Sequence, residues 1–306
     1  MQALALHLDN ALLQQPLFMT ALQDVGARAL DLRDLGPQLR LWSTEDTLTS
    51  LKSRLRNDLP ASTASELVFA GSGDFHHVTA LLVERVLERT EAPLTVIHFD
   101  NHPDWVKFRN GMHCGSWVGR VARLPGVTGT MTIGVTSTDI DRPSGKGADL
   151  ALVDDGLVQM FPFRSPDASA GYKLGGREWP TIAAVGEPEF IRILVAGITT
   201  KNVYITIDKD VLRAEDAVTN WDQGELGLGF LTDTIEAISK SHAVVGIDVV
   251  GDWSPVKYGG HLTARAFKLA ESAMDQPWAR VDTAHATTVN QGANLHLLDA
   301  LQRLFP

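Results

Sequence analysis

Residues 94–104 read Leu94-Thr95-Val96-Ile97-His98-Phe99-Asp100-Asn101-His102-Pro103-Asp104. The run opens without inside/outside alternation, as a strand buried on both faces of a parallel sheet does. It ends in three metal-competent side chains at i, i+2 and i+4, which extended backbone carries to one side. Pro103 disfavours helix at His102, so extended geometry is expected there. Working outward, similar runs recur at Ala3–Leu8, Glu66–Ala70, Thr130–Val135, Val203–Ile207 and Val244–Val250. Helical patterns alternate with them at Thr44–Arg56, Val78–Arg89, Ser116–Leu124, Leu231–Ser239 and Ala293–Leu304. Such alternation predicts βαβ units in an α/β fold, a three-layer α/β/α sandwich with a mainly parallel sheet. Ligands in such folds bind where the strands end.

Two more strand ends carry the same kind of chemistry. Val203–Ile207 runs into Asp208-Lys209-Asp210, and Glu66–Ala70 into Gly71-Ser72-Gly73-Asp74-Phe75-His76-His77. Each motif alone also reads as a cap, a turn or a core histidine. Together they argue differently, because parallel strands end on one edge. Asp100, Asp104, Asp208, Asp210, His102 and one of His76 or His77 are then expected to converge. Four clustered carboxylates repel one another, each close pair at ~4 Å costing about 4 kcal/mol at an effective dielectric of ~20. Two divalent cations remove the difficulty. A carboxylate-rich set with two imidazoles suits Mn²⁺ better than structural Zn²⁺, which favours thiolates and tetrahedral closure.

The composition agrees. The 306 residues are 44% hydrophobic and 21% charged, enough to bury a large core. No linker or repeat divides the chain, so a single domain over residues 1–306 is expected, with Ser137–Gly176, rich in Gly, Pro, Ser and Asp, as a surface excursion beside the site. Lys and Arg number 27 against 37 Asp and Glu, a formal charge of −10. That balance argues against nucleic acid, which would call for a basic surplus, and suits a cationic small molecule or metal ions. Apolar runs such as Ala243–Ile247 stop well short of the roughly 20 residues a membrane span needs. The opening MQALALHLDN lacks the basic stretch of a secretory signal. Cys114 is the sole cysteine, so no internal disulfide forms, and a reducing cytoplasm is the expected location.

With these motifs in hand, the sequence resembles the ureohydrolase (arginase/agmatinase) superfamily, in a divergent branch similar to peptide arginases. The family's GGDH-like turn, DAHxD and DxD appear in the same order as GSGDFHH, HFDNHPD and TIDKD, and GIDVVGDWSP is similar to its D-x-x-E-x-x-P segment. The likeness spans about Glu66 to Pro255. It implies an arginase-like, roughly eight-stranded sheet and a binuclear manganese centre. Its ligands would be His76, Asp100, His102, Asp104, Asp208 and Asp210, with His77 open as an alternative to His76. The family's last Asp and Pro of DxDxxDP are Arg213 and Ala214 here, its late glutamate falls on Gly251, and Asp252 is the nearest acid. Family members often form trimers or hexamers, so a homo-oligomer is among the expected partners.

The resemblance implies hydrolysis of a linear C–N bond in a guanidino compound, free or peptidyl arginine or a relative. A metal-bridging hydroxide would attack, releasing urea and an amine. Asp210 would orient that hydroxide, and His113, in the loop His113-Cys114-Gly115-Ser116, would carry a proton to the amine. Asp252 would accept the guanidinium. Asp222, Glu225, Trp221, Asp139 and Asp141 are weaker candidates for substrate contact. Asp282-Thr283-Ala284-His285 reads as a turn. Another amide or formimino substrate, a non-catalytic metal-binding protein and a metal-dependent phosphoesterase are the competing readings.

Overall fold

Eight strands form one sheet: β1 (Gln2–His7), β2 (Arg28–Asp31), β3 (Glu66–Phe69), β4 (Leu94–Phe99), β5 (Val127–Ile133), β6 (Val158–Phe161), β7 (Asn202–Asp208) and β8 (Ala243–Val250). They come from a computed structural model describing residues 1–59, 64–167, 169–277 and 281–306. The order across the sheet is β2-β1-β3-β8-β7-β4-β5-β6, and every neighbouring pair is parallel. The four central strands, β3, β8, β7 and β4, therefore present their C-terminal ends side by side. Helices flank the sheet, completing the α/β/α layers that the alternation predicts. Every residue of β3, β4 and β7 is buried, as their unbroken apolar runs require.

The differences from the sequence pattern have local causes. Strand β2 is four residues long with no fully buried position, and β6 is equally short, so neither stands out. Strand β6 belongs to the central sheet although it lies inside Ser137–Gly176, which is therefore not wholly an excursion. The C-terminal helix begins at Thr283, ten residues before the apolar stripe announces it. Asp282 is its N-cap, accepting the Ala284 and His285 N–H groups, which corrects the reading of residues 282–285 as a turn. Among the described residues no helix is long and apolar enough to cross a membrane.

A buried polar knot fastens this helix beneath the edge that carries Asp208 and Asp210. Lys209 lies between Asp208 and Asp210 but faces away from both partners of the cluster. Its Nζ donates to Asp252 Oδ1 at 2.6 Å and to Asn294 Oδ1 at 2.8 Å. Gln15 donates to the same Asp252 oxygen at 2.9 Å and accepts from Asn294 at 2.8 Å. All four side chains are buried, and burial lowers the Lys209 pKa against the pull of Asp252. Removing one partner of such a pair leaves an uncompensated internal charge. Asp252→Ala is therefore expected to lower unfolding stability by about 3–5 kcal/mol in a denaturant titration. A loss below about 1 kcal/mol, the range of exposed pairs, would contradict this placement.

Candidate metal centre

The strand-end segments meet. After β4 the chain leaves strand geometry at Asp100, and Asp104 takes φ +48°, one of two non-glycine residues in the left-handed region among those described. Asp tolerates that conformation better than most residues. The extended backbone expected here is thus replaced by a bend at Asn101 and His102 and a left-handed Asp104, which still returns Asp104 to the cluster. The Trp117 indole N–H donates to Asp104 Oδ2 at 2.6 Å and holds it there. Asp208, ending β7, sits between two glycines. A Cβ on Gly73 would lie 2.5 Å from one of its carboxylate oxygens, and a Cβ on Gly251, at φ +97°, 2.5 Å from the other. Gly251, where the resemblance places a glutamate, thus leaves room for Asp208.

The side chains fall into two groups sharing Asp100. His76 Nδ1 lies 3.0 Å from Asp100 Oδ2, 3.2 Å from Asp104 Oδ2 and 3.5 Å from Asp208 Oδ2. His102 Nδ1 lies 3.5 Å from Asp100 Oδ1 and 2.9 Å from Asp210 Oδ2. The two oxygens of Asp100 thus face different imidazoles, the arrangement a carboxylate needs to bridge two ions. Asp210 is oriented by the Asn101 backbone N–H at 3.0 Å on its other oxygen. All six side chains expected to ligate are brought together.

The donor set fits divalent cations. His76 Nδ1 is buried and has no aligned hydrogen-bond partner, although three carboxylate oxygens surround it. Its Nε2 is engaged by Thr206 Oγ1 at 2.9 Å. An orphaned nitrogen facing anionic oxygens is where a cation belongs. His102 Nε2 meets Asp222 Oδ1 at 2.9 Å, the carboxylate-on-imidazole support common behind metal-ligating histidines. His77 is buried and points elsewhere, with neither ring nitrogen partnered, and its pKa is lowered by burial.

The electrostatics report the same crowding. Burial, reinforced by the Asp100 charge, pushes Asp208 up to about 7. Burial and Asp208 push Asp210 well up, and burial and Asp100 raise Asp104. Burial opposes charge on His76 and His102, yet the adjoining carboxylates hold both rings well above the ordinary histidine value. Asp100 is held well below its usual range: burial works the other way, and His98, His102 and His76 prevail.

Two supporting residues escaped the sequence reading. His98 Nε2 lies 2.8 Å from Asp100 Oδ2, with its Nδ1 on Thr132 Oγ1 at 3.1 Å, and Trp117 supports Asp104. His98 stands two residues before Asp100, which directly follows its strand, so period two places it on the same face. Trp117 offered no such signal.

The cluster floors a cleft of about 480 Å³ whose walls include Trp105, His113, Asp139, Lys146, Trp221 and Asp275. Asp252 is corrected as a guanidinium partner: its carboxylate is taken up by Lys209, Gln15 and Asn294, outside the cleft lining. Glu225 pairs with Arg164 outside that lining, and Asp141 is not part of it. Trp221 lines the cleft but gives its indole N–H to Asp74 Oδ1 at 3.0 Å.

Comparison with known proteins follows this geometry. A model of the arginase family matches residues 14–274. A hypothetical agmatinase from Burkholderia thailandensis superposes with a TM-score of 0.58 at 16% identity, over 99% of this chain and 84% of that one. An arginase from Bacillus subtilis superposes with a TM-score of 0.56 at 16% identity, over 91% and 99%. An uncharacterized protein of Thermotoga maritima is 22% identical over 204 residues, 67% of this chain and 64% of that relative's length. At these identities the superpositions speak to the fold.

The pKa directions fix how the metal-free protein responds to pH. A carboxyl raised above its unfolded value keeps the folded state more protonated than the unfolded one, so stability falls as pH rises through that interval. For Asp208 the interval runs from 3.8 to about 7. The raised histidines act with the same sign, contributing stability at low pH that is lost above their elevated values. Asp100 acts oppositely, but below its ordinary range, and the buried His77 and His7, whose values are lowered, act oppositely only below about 6.5. Metal-free protein is expected to melt at least ~2 °C lower at about pH 8 than at about pH 6.5, with divalent cations restoring the loss. A melting temperature that is flat or rises over that span, measured by calorimetry in chelator, contradicts the clustering.

Proposed function

The chain belongs to the arginase family, and from that premise we propose that it is a binuclear manganese hydrolase cleaving a linear C–N bond of a guanidino compound. Arginine, free or within a peptide, and its decarboxylated or shortened relatives are the substrate class. The observation that carries this reading is Asp100, with one oxygen toward His76 and the other toward His102. His76, Asp100, Asp104 and Asp208 would hold one ion, and His102, Asp100, Asp208 and Asp210 the other. When bound, two such ions supply Lewis acidity and a water acidic enough to serve as nucleophile near neutral pH.

The chain's own residues do the rest. Asp210 is held by Asn101 and His102, so its carboxylate stays fixed during turnover. Trp105, Pro103 and Val106 give the cleft an apolar wall that limits water beside a planar cation. Asp139, Asp222 and Asp275 outnumber Lys146 along the remainder, a negative balance that attracts a guanidinium. His113 lines the cleft and would be the group to pass a proton to a departing amine. Gly251 favours a second reading, hydrolysis of another amide or a formimino compound, because no carboxylate stands there to grip a guanidinium.

Metal analysis followed by a urea-release screen over free arginine, agmatine, guanidinobutyrate and arginine-containing peptides separates the two. Urea from any of them supports the first reading; product only from amides or formimino compounds supports the second. Asp100→Ala and Asp208→Ala are each expected to lose at least one ion and to lower turnover more than the ~10–100-fold typical of outer-shell changes. Full metal occupancy in both variants would falsify the ligand assignment.

A further inference from the structure

Helix Leu262–Asp275 forms one wall of the cleft, delivering Met274 and Asp275, with Gln276 and Pro277 just beyond it. Little apolar burial secures it: Lys268 is its only buried residue. Polar contacts do the work instead. Lys268 Nζ donates to the Gln38 carbonyl at 2.8 Å and lies 4.6 Å over the Trp42 ring. Gln276 donates to Asp74 Oδ1 at 2.7 Å. Glu271 uses both carboxylate oxygens: Oε2 accepts the Trp42 indole N–H at 3.1 Å, and Oε1 lies 2.6 Å from His113 Nε2.

The other His113 nitrogen decides the tautomer. Nδ1 stands 2.8 Å from the Gly115 backbone N–H, which can only donate. Nδ1 is therefore an acceptor, and the neutral ring carries its proton on Nε2, donated to Glu271. Residues 113–116 also form a capping box in which Ser116 Oγ accepts the His113 N–H, so backbone and ring are fixed together.

We propose that Glu271 is the positioning residue for His113, holding its Nε2–H and its ring plane against the cleft while the Gly115 N–H sets the tautomer. This rests on the hydrolase reading for its consequence, since His113 is the cleft group available to move a proton. Glu271 lies outside every motif of the sequence reading and comes from a different element than Gly251, where the resemblance has its glutamate. The charged and titratable groups around His113 are Glu271 and Asp275 from the helix, Cys114 on its own turn with Sγ 3.8 Å from Nδ1, and His77 from the turn Gly73–Val78, with Lys268 beyond Glu271. Glu271, at 2.6 Å, is far closer to the ring's Nε2 than Cys114 Sγ, at 3.9 Å.

The test is nuclear magnetic resonance of the full chain with ¹⁵N-labelled histidine and Mg²⁺ as a diamagnetic ion, His113 being assigned by His113→Gln. Wild type is expected to show the Nε2-protonated neutral ring with its Nε2 proton protected from exchange, and Glu271→Gln, which keeps an acceptor, should retain that protection. Glu271→Ala should lose it, and Glu271→Asp should recover part of the wild-type behaviour. Lys268→Met removes another anchor of the same helix and should leave the His113 Nε2 proton as in wild type. The proposal is overturned if Glu271→Ala keeps the Nε2 proton protected as wild type does, or if Lys268→Met exposes it as far as Glu271→Ala. These readouts stand even if no guanidino compound releases urea, so failure here and failure of the hydrolase reading are told apart. With a substrate in hand, Glu271→Ala should lower kcat more than it changes KM.

Discussion

Four carboxylates buried at the ends of two neighbouring strands constrain everything around them. Asp100, Asp104, Asp208 and Asp210 are each almost fully shielded from water, and their mutual repulsion is not relieved by arginine or lysine within the group. Two imidazoles partly offset it, which is why His76 and His102 are held above their ordinary pKa while Asp208 and Asp210 are pushed up. A fold that keeps such a group in place has to hold each carboxylate from behind. Asn101 holds Asp210, Trp117 holds Asp104, His98 holds Asp100, and glycines on two sides clear the space for Asp208.

The same requirement explains the departures from the family pattern. The residue between Asp208 and Asp210 alternates to the opposite side and is a lysine, so it needs an internal partner. Asp252 supplies that partner, with Asn294 of the C-terminal helix and Gln15 from near the N-terminus. The acid that reads in sequence as a substitute for the glutamate is thus committed to structure. The acid that reaches the histidine of the cleft wall, Glu271, comes from a helix the sequence left unassigned.

Strand identity and the convergence of the carboxylates and imidazoles were legible because both are local. Apolar runs mark strands β3, β4, β7 and β8, parallel topology puts their ends on one edge, and the chemistry follows each end within a few residues. His98 was legible in principle by the same alternation and was passed over as a strand residue. Glu271, the Asp222 support of His102 and the Lys209–Asp252 knot join residues far apart in the chain, and no spacing rule connects them. Asp104 falls between the two cases: its place in the cluster was readable, but its left-handed backbone was not, because the Pro103 argument reaches only His102.

Crystals of the full chain grown with Mn²⁺ offer the most direct measurement, through an anomalous difference map at the manganese edge. Two peaks are expected in each chain, one bordered by His76, Asp100, Asp104 and Asp208 and the other by His102, Asp100, Asp208 and Asp210. A single peak, or density at neither position, would contradict the shared role assigned to Asp100 and with it the binuclear centre.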